Sequence, residues 1–222
     1  MEEAGLDYRA TKDLDIVLCI EALDKRFINQ FWKFVSEGNY QIRKRATGEK
    51  CFYRFTNPQN RNFPTMLEIL SKKADALGER NAGTIVPMII EDEIVSLSAI
   101  LLEQDYYNFI LSLKVEIDDL VIADERCIIP LKARAWLDLT ERKREGAEVR
   151  STDIKKHKND VYRMSQLLNA IPIKNVPNQI SEDIQNFVNA INDEDMLLKQ
   201  LGIENTSIKE ISEQLIIVYC SN

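Results

Sequence analysis

Long apolar runs are missing from this chain of 222 residues. No uninterrupted apolar stretch approaches the roughly 18 residues that a membrane-spanning helix needs, so no span is expected. The basic-then-apolar pattern of a secretory signal is missing at Met1 as well. Cysteine is sparse: Cys19, Cys51, Cys127 and Cys220 are widely separated and none belongs to a C-x-x-C pair, which argues against a zinc knuckle. Cys19 and Cys127 sit in apolar runs and read as small buried hydrophobes, as expected of a reduced, cytoplasmic protein. His157 is the only histidine, too few for a histidine-rich metal site. Positive charge is also short. The 29 bases against 36 acids leave a net charge of −7, which argues against a broad surface for duplex DNA while allowing a local basic patch. There is no internal repeat and no low-complexity tract.

What is present is ordinary for a globular protein: 45% hydrophobic and 29% charged residues in a chain long enough to bury a real core. The pattern predicts a strand at Ile16–Ile20 and a helix over Asp24–Glu37 ended by Gly38, with Phe27, Phe31, Trp32 and Val35 at helical spacing. Tyr40–Arg45 and Lys50–Phe55 alternate around Ala46–Glu49, which predicts a hairpin. Further strands are expected at Thr65–Leu70, Thr84–Ile90, Ile94–Leu102 and Val115–Ala123, with a helix at Gln104–Leu113 before the last. From Pro130 the pattern is helical: Pro130–Arg144, Thr152–Leu168, Ser181–Ile191 and Ser207–Leu215, with Pro and Ser or Thr marking starts. Strands first and helices afterwards predict an α+β fold, a sheet core over residues 1–125 with a helical part over 126–222 packed on it. The aromatics Trp32, Tyr106, Tyr107 and Trp136 fall at helical spacing and read as core.

The stretch that carries chemistry is Arg9-Ala10-Thr11-Lys12-Asp13-Leu14-Asp15-Ile16. Side chains alternate along a strand, so Asp13 and Asp15 would share one side while Leu14 and Ile16 point into a core. Two neighbouring acids repel unless a cation lies between them. A hard divalent ion takes oxygen ligands and leaves positions open for phosphate. Glu68 stands alone among Met66, Leu67, Ile69 and Leu70, where a charge is costly unless paired or liganded. If its strand neighbours that of the Asp pair, three carboxylates converge. The bland alternatives are a solvated Asp-x-Asp loop and a Glu68 facing solvent from an edge strand.

Together with Leu131-Lys132-Ala133-Arg134-Ala135 and Asp153-Ile154-Lys155-Lys156-His157-Lys158-Asn159-Asp160-Val161, the Arg9–Ile16 element resembles the AbiEii-type nucleotidyltransferases of the polymerase-beta-like superfamily, from about residue 8 to about residue 170. The resemblance implies a mixed sheet with a helical C-terminal half, Mg²⁺ or Mn²⁺, and transfer of a nucleotidyl group from a nucleoside triphosphate to an acceptor hydroxyl. In such bacterial proteins the acceptor can be RNA, including tRNA ends, and several are toxins with a cognate antitoxin protein. It assigns Asp13 and Asp15 as metal ligands and Glu68 as a third catalytic acid and metal ligand. Arg9, Thr11, Lys132, Lys156, His157 and Asp160 fall to nucleotide binding.

Charge physics bears on the helical residues too. Lys132 interrupts an apolar helix face, and a phosphate would keep its charge there as readily as snorkelling would. Asp160 follows His157 by three residues, close enough on a helix to orient the imidazole. Lys155, Lys156 and Lys158, with Arg142, Lys143, Arg144 and Arg150, form the one basic stretch, suited to an RNA backbone or simply solvated.

The chain departs from the family in one respect. Members carry Gly-Gly or Gly-Ser on a turn before the Arg-x-Thr-x-Asp-x-Asp element, where backbone N–H groups approach the triphosphate. Met1-Glu2-Glu3-Ala4-Gly5-Leu6 holds no such turn. Either the natural product is longer or part of the nucleotide site is lost. The second case predicts an inactive binding module with the same fold. A metal-dependent phosphohydrolase on the same acids ranks last, given the single histidine.

Overall fold

The computed structural model describes residues 13–17, 25–44, 50–72, 85–90, 93–117, 120–191 and 195–221. Along the chain run β1 (Asp13–Val17), α1 (Lys25–Glu37), β2 (Gln41–Lys44), β3 (Lys50–Thr56), β4 (Met66–Lys72), β5 (Ile85–Ile90), β6 (Glu93–Leu102) and α2 (Gln104–Leu113). They are followed by β7 (Val115–Ile117), β8 (Leu120–Ile122), α3 (Glu125–Arg144), α4 (Ser151–Ser165), α5 (Asn178–Ala190), α6 (Asp195–Gln200) and α7 (Ile208–Cys220). The fold is mixed α+β, with a mixed sheet in the first half and helices in the second. Two compact units divide the chain within α2, Ala10–Tyr107 and Asn108–Asn222. No helix among the described residues is long and apolar enough to cross a membrane.

In the first unit β4 is the pivot of the sheet. It pairs parallel with β1 and β6 and antiparallel with β3, while β2 pairs with β3 and β5 with β6, both antiparallel. Leu67 on β4 has Leu14 on one side and Phe55 on the other. Parallel pairing needs a crossover, and α1 with the β2–β3 hairpin lies between β1 and β4 in the chain. Helix α1 covers one face. Its Phe31 and Val35, four residues apart, are buried with Tyr40, Phe55, Leu67 and Ile69, and Ile16, Phe27, Trp32, Ile42 and Phe63 pack against them. Phe31 and Trp32 meet the Phe55 ring edge-on at 5.5 and 5.7 Å, the arrangement that aromatic quadrupoles favour. Leu14, expected in the core beside Ile16, is 43% exposed. It lies on β1, which has a strand on only one flank among the described residues.

The end of α1 also departs from the expected glycine stop. Asn39, not Gly38, takes the left-handed conformation (φ 47°). The amide of Asn39 donates to the Ser36 carbonyl (3.0 Å) and that of Tyr40 to the Val35 carbonyl (3.3 Å), the paired bonds of a Schellman turn, in which asparagine can replace glycine. Gly38 serves a different need: a Cβ there would lie 2.5 Å from Tyr40 Cε2 and 2.9 Å from Phe63 Cδ1.

In the second unit, Val115–Ala123 is not one strand but the short antiparallel pair β7–β8, Val115 opposite Ile122. The acids Asp118 and Asp119 interrupt the β-formers between them. Helix α3 starts five residues before Pro130, because Asp124 caps it: the carboxylate accepts the Arg126 amide at 3.0 Å. Pro130 therefore sits inside the helix. Helix α5 begins three residues before Ser181, the Pro177 carbonyl accepting the Ile180 and Ser181 amides at 3.0 and 3.1 Å. Ser207 caps α7 as expected, in a reciprocal box with Glu210. The Ser207 amide donates to the Glu210 carboxylate (2.8 Å), and these bonds hold that carboxyl below its usual range. Helix α6 has no counterpart among the expected elements. Helix α3 packs against α4 and α5, and α7 against α4 and α5. Their shared core includes Ile129, Trp136, Tyr162, Ile184, Phe187, Leu215 and Tyr219, all buried.

Candidate active site

The β1–β4 register decides what the acids can do. Asp15 pairs with Glu68 across adjacent parallel strands, and Asp13 with Met66. On the opposite flank of β4, Arg54 of β3 pairs with Glu68. These positions alternate with Leu14, Leu67 and Phe55. Asp15, Glu68 and Arg54 therefore stand in a row on the sheet face away from α1, neighbouring strands being about 4.8 Å apart. The strand adjacency on which a converging acid group depends is thus present. Glu68 is not a solvent-facing residue of an edge strand: β4 has neighbours on both flanks, and the Glu68 side chain is 16% exposed.

Its charge is met from within. Arg54 Nε donates to Glu68 Oε1 at 2.6 Å, and Arg54 Nη2 donates to the same oxygen. A guanidinium answers the question the sequence raises about a carboxylate in an apolar strand. Asp15 is exposed at the strand surface and has interactions of its own. Carboxylate oxygens are the hard donors that Mg²⁺ or Mn²⁺ takes, so the chemistry of Asp15 and Glu68 suits such an ion. Among the described side chains, which do not include that of Asp13, no three His, Cys, Asp or Glu residues gather into a metal-binding group.

Arg9 and Thr11 lie outside the described residues. Lys132, Lys156, His157 and Asp160 form a second polar group inside the helical unit. Lys132 Nζ of α3 lies 3.9 Å from Asp160 Oδ2 of α4, with the two side chains 25% and 14% exposed. Two segments read separately along the sequence thus meet as one ion pair. The pairing changes the part expected of Asp160: it serves Lys132, while the buried His157 Nδ1 has no hydrogen-bond partner. Burial holds the His157 pKa below its ordinary value, helped by the Lys132 and Lys156 ammonium groups, with Asp160 and Asp153 pulling the other way.

Two of the seven residues in the basic stretch meet acids on their own helix. Arg142 lies 3.6 Å from Asp138, and Arg144 bonds Glu141. The helical unit also holds a cleft of about 540 Å³, lined by Leu113, Asp124, Arg126, Leu168, Ile173 and Val218 among others. None of the residues singled out by sequence lines it. The core reading of Tyr106, Tyr107 and Trp136 agrees with their burial.

Sequence reasoning gave no role to three arginines. Arg54 is one. The others are Arg126, whose Nε donates to Asp124 at 2.8 Å, and Arg134, whose Nη1 donates to the buried Asp183 at 2.8 Å. Arg54 alternates with Phe55 in an expected strand, a pattern that says it faces away from the core but not what it meets. Comparison with family models, with curated proteins and with solved structures finds no match to this chain.

Proposed function

We propose that this protein is a Mg²⁺- or Mn²⁺-dependent nucleotidyltransferase that moves a nucleotidyl group from a nucleoside triphosphate to an acceptor hydroxyl. The observation that carries the reading is the register of β1 on β4, which puts Asp15 beside Glu68 on one sheet face, two residues after Asp13. The resemblance of Arg9–Ile16 to the AbiEii-type element supplies the reaction. The ion would be held by Asp13 and Asp15, with Glu68 completing the set, and would neutralise the triphosphate and polarise the α-phosphorus. The acceptor oxygen forms the new bond to that phosphorus, its proton passes to a carboxylate, and pyrophosphate leaves with the electrons of the broken bond. Lys132, Lys156, His157 and Asp160 belong to the other compact unit, and only the resemblance assigns them to the nucleotide. The acceptor class is RNA, tRNA ends included, and a toxin-like role with a cognate antitoxin protein follows from the same resemblance.

The test is thermal. Mg²⁺ with each of the four nucleoside triphosphates should raise the melting temperature with at least one of them, and Asp13→Asn with Asp15→Asn should remove the shift. No shift with any of the four would overturn the proposal.

One observation favours a second reading, a binding module with the same fold and no turnover: the Arg54 guanidinium already neutralises Glu68. Incubation with labelled triphosphates and total cellular RNA separates the two. Labelling of RNA that depends on Asp13 would exclude the module. Release of inorganic phosphate or pyrophosphate without labelled RNA would point to a phosphohydrolase.

A further inference from the structure

Glu68 and Arg54 form a pair that constrains anything else binding on this face. The carboxylate side chain is 16% exposed and the guanidinium 30%, and both donors, Nε and Nη2, address one oxygen, Oε1. Pulling the guanidinium away and putting nothing in its place would strand a largely buried carboxylate, among the costlier single changes a fold can suffer. A cation can therefore take Glu68 Oε1 only by exchange with Arg54. A displaced Arg54 keeps its charge, and its planar fork matches a phosphate with two parallel N–H···O bonds. The exchange has two halves, a cation onto Glu68 and the guanidinium onto a phosphate. Together they replace one ion pair by two.

We infer that Arg54 is a phosphate-sensing counter-cation that guards the acidic face. It occupies Glu68 while the site is empty and passes to a phosphate of the incoming polyphosphate, so a divalent cation gains full access to Glu68 only together with that substrate. The inference rests on the proposed function and adds its regulation. Coupling of this kind is reciprocal: the polyphosphate strengthens cation binding by the factor by which the cation strengthens polyphosphate binding, typically about 5- to 150-fold. The biochemical consequence is an ordered site that does not collect metal while idle. Neither the Lys132–Asp160 pair nor the basic stretch is needed for it, because Arg54, Glu68 and Asp15 are consecutive positions across three paired strands.

Mn²⁺ binding, read by the loss of the free-ion electron paramagnetic resonance signal, tests the guard without any turnover. Mn²⁺ alone should bind the unaltered protein weakly and Arg54→Gln at least about tenfold more tightly, because the competing cation is gone. Arg54→Lys, which keeps the charge but loses the fork, should fall between them, and it decides the matter if Arg54→Gln does not fold. Adding a nucleoside triphosphate should strengthen Mn²⁺ binding to the unaltered protein more than to Arg54→Gln. Chelation in free solution is common to both samples and cancels in that comparison. Equal Mn²⁺ affinity in the unaltered protein, Arg54→Lys and Arg54→Gln, with binding still lost in Asp15→Asn, would overturn the guard and leave the proposed function standing. Absence of Mn²⁺ binding in every sample, triphosphate present or not, would overturn the proposed function and the guard with it.

Discussion

The Tyr219 hydroxyl donates a 3.0 Å hydrogen bond to the backbone carbonyl of Arg126. Four residues further along α3 stands Pro130, whose nitrogen has no hydrogen to give that carbonyl. A proline inside a helix ordinarily strands the carbonyl four residues back, and here a buried tyrosine from α7 satisfies it. The same burial pushes the Tyr219 hydroxyl pKa well up, so it remains a donor throughout the physiological range. Removing that donor leaves the Arg126 carbonyl without the hydrogen bond that Pro130 cannot supply.

Tyr219→Phe is therefore expected to cost about 1 kcal/mol of stability in urea unfolding, the usual net worth of one hydrogen bond. In a Pro130→Ala background the new alanine amide can take over the Arg126 carbonyl, and the same change should cost less. A double-mutant cycle measures the difference. Equal costs in both backgrounds would mean that packing of the ring, not the carbonyl, sets the loss.

His157 gives the helical unit a pH dependence of known sign. Its folded-state pKa lies below the unfolded value of about 6.5, since burial and then Lys132 and Lys156 disfavour the charged form. The unfolded chain thus holds more protons than the folded one between those two pKa values, and stability falls as pH drops from about 6.5 through the folded pKa. Urea midpoints measured from pH 7.5 to 5 should decline, and His157→Gln should flatten the decline. A slope unchanged by that substitution would assign it to other groups.

Arg134 and Asp183 tie α3 to α5, with Gln179 Nε2 also donating to Asp183 Oδ1 at 3.2 Å. Asp183 is 2% exposed, whereas the Arg134 side chain is 43% exposed, so water screens the arginine far more than the acid. Loss of the cation leaves a carboxylate that water cannot reach, while Asp183→Asn keeps an acceptor for both donors. Arg134→Leu should cost more stability than Asp183→Asn, the latter about 1 kcal/mol. The opposite order in urea unfolding would show that the aspartate charge itself carries no penalty.

How far the sequence speaks depends on the range of the interaction concerned. The helical stripe of Phe27, Phe31 and Val35 and the Ser207–Glu210 cap are local patterns, and both are legible along the chain. Helix α3 was harder, because Pro130 looks like a start until Asp124 is seen to cap the turn before it and Tyr219, 89 residues further along, supplies the bond that Pro130 cannot. The acids behave the same way. An isolated Glu68 in an apolar strand announces that it needs a partner, yet either a metal or an arginine would satisfy that need. Only the register of β3 on β4, a long-range property, selects Arg54. Lys132 stands out along the chain as a charge on an apolar helix face and Asp160 as a neighbour of His157, but their pairing depends on how α3 lies on α4.

Gly38 offers the last and sharpest contrast. Its φ is not in the left-handed region, so an alanine would suffer no backbone strain there, and the smaller unfolded-state entropy alone would favour it by about 0.4–1 kcal/mol. The added Cβ, however, would lie 2.5 and 2.7 Å from Tyr40 ring atoms and 2.9 Å from Phe63 Cδ1. The Tyr40 ring has little room to yield, because it is buried and its hydroxyl donates to the Pro64 carbonyl at 2.6 Å. Overpacking of this kind costs about 1–3 kcal/mol and should outweigh the entropic gain. Gly38→Ala is thus expected to lower the melting temperature, and to do so less in a Tyr40→Phe background, where the ring is no longer tethered to Pro64. Gly146→Ala gives the complementary case: no atom lies within 4 Å of its Cβ, but its φ is 89°, so any loss there comes from the backbone alone and should not respond to Tyr40→Phe. A neutral or stabilising Gly38→Ala would mean that the Tyr40–Phe63 contact gives way more easily than its tether implies.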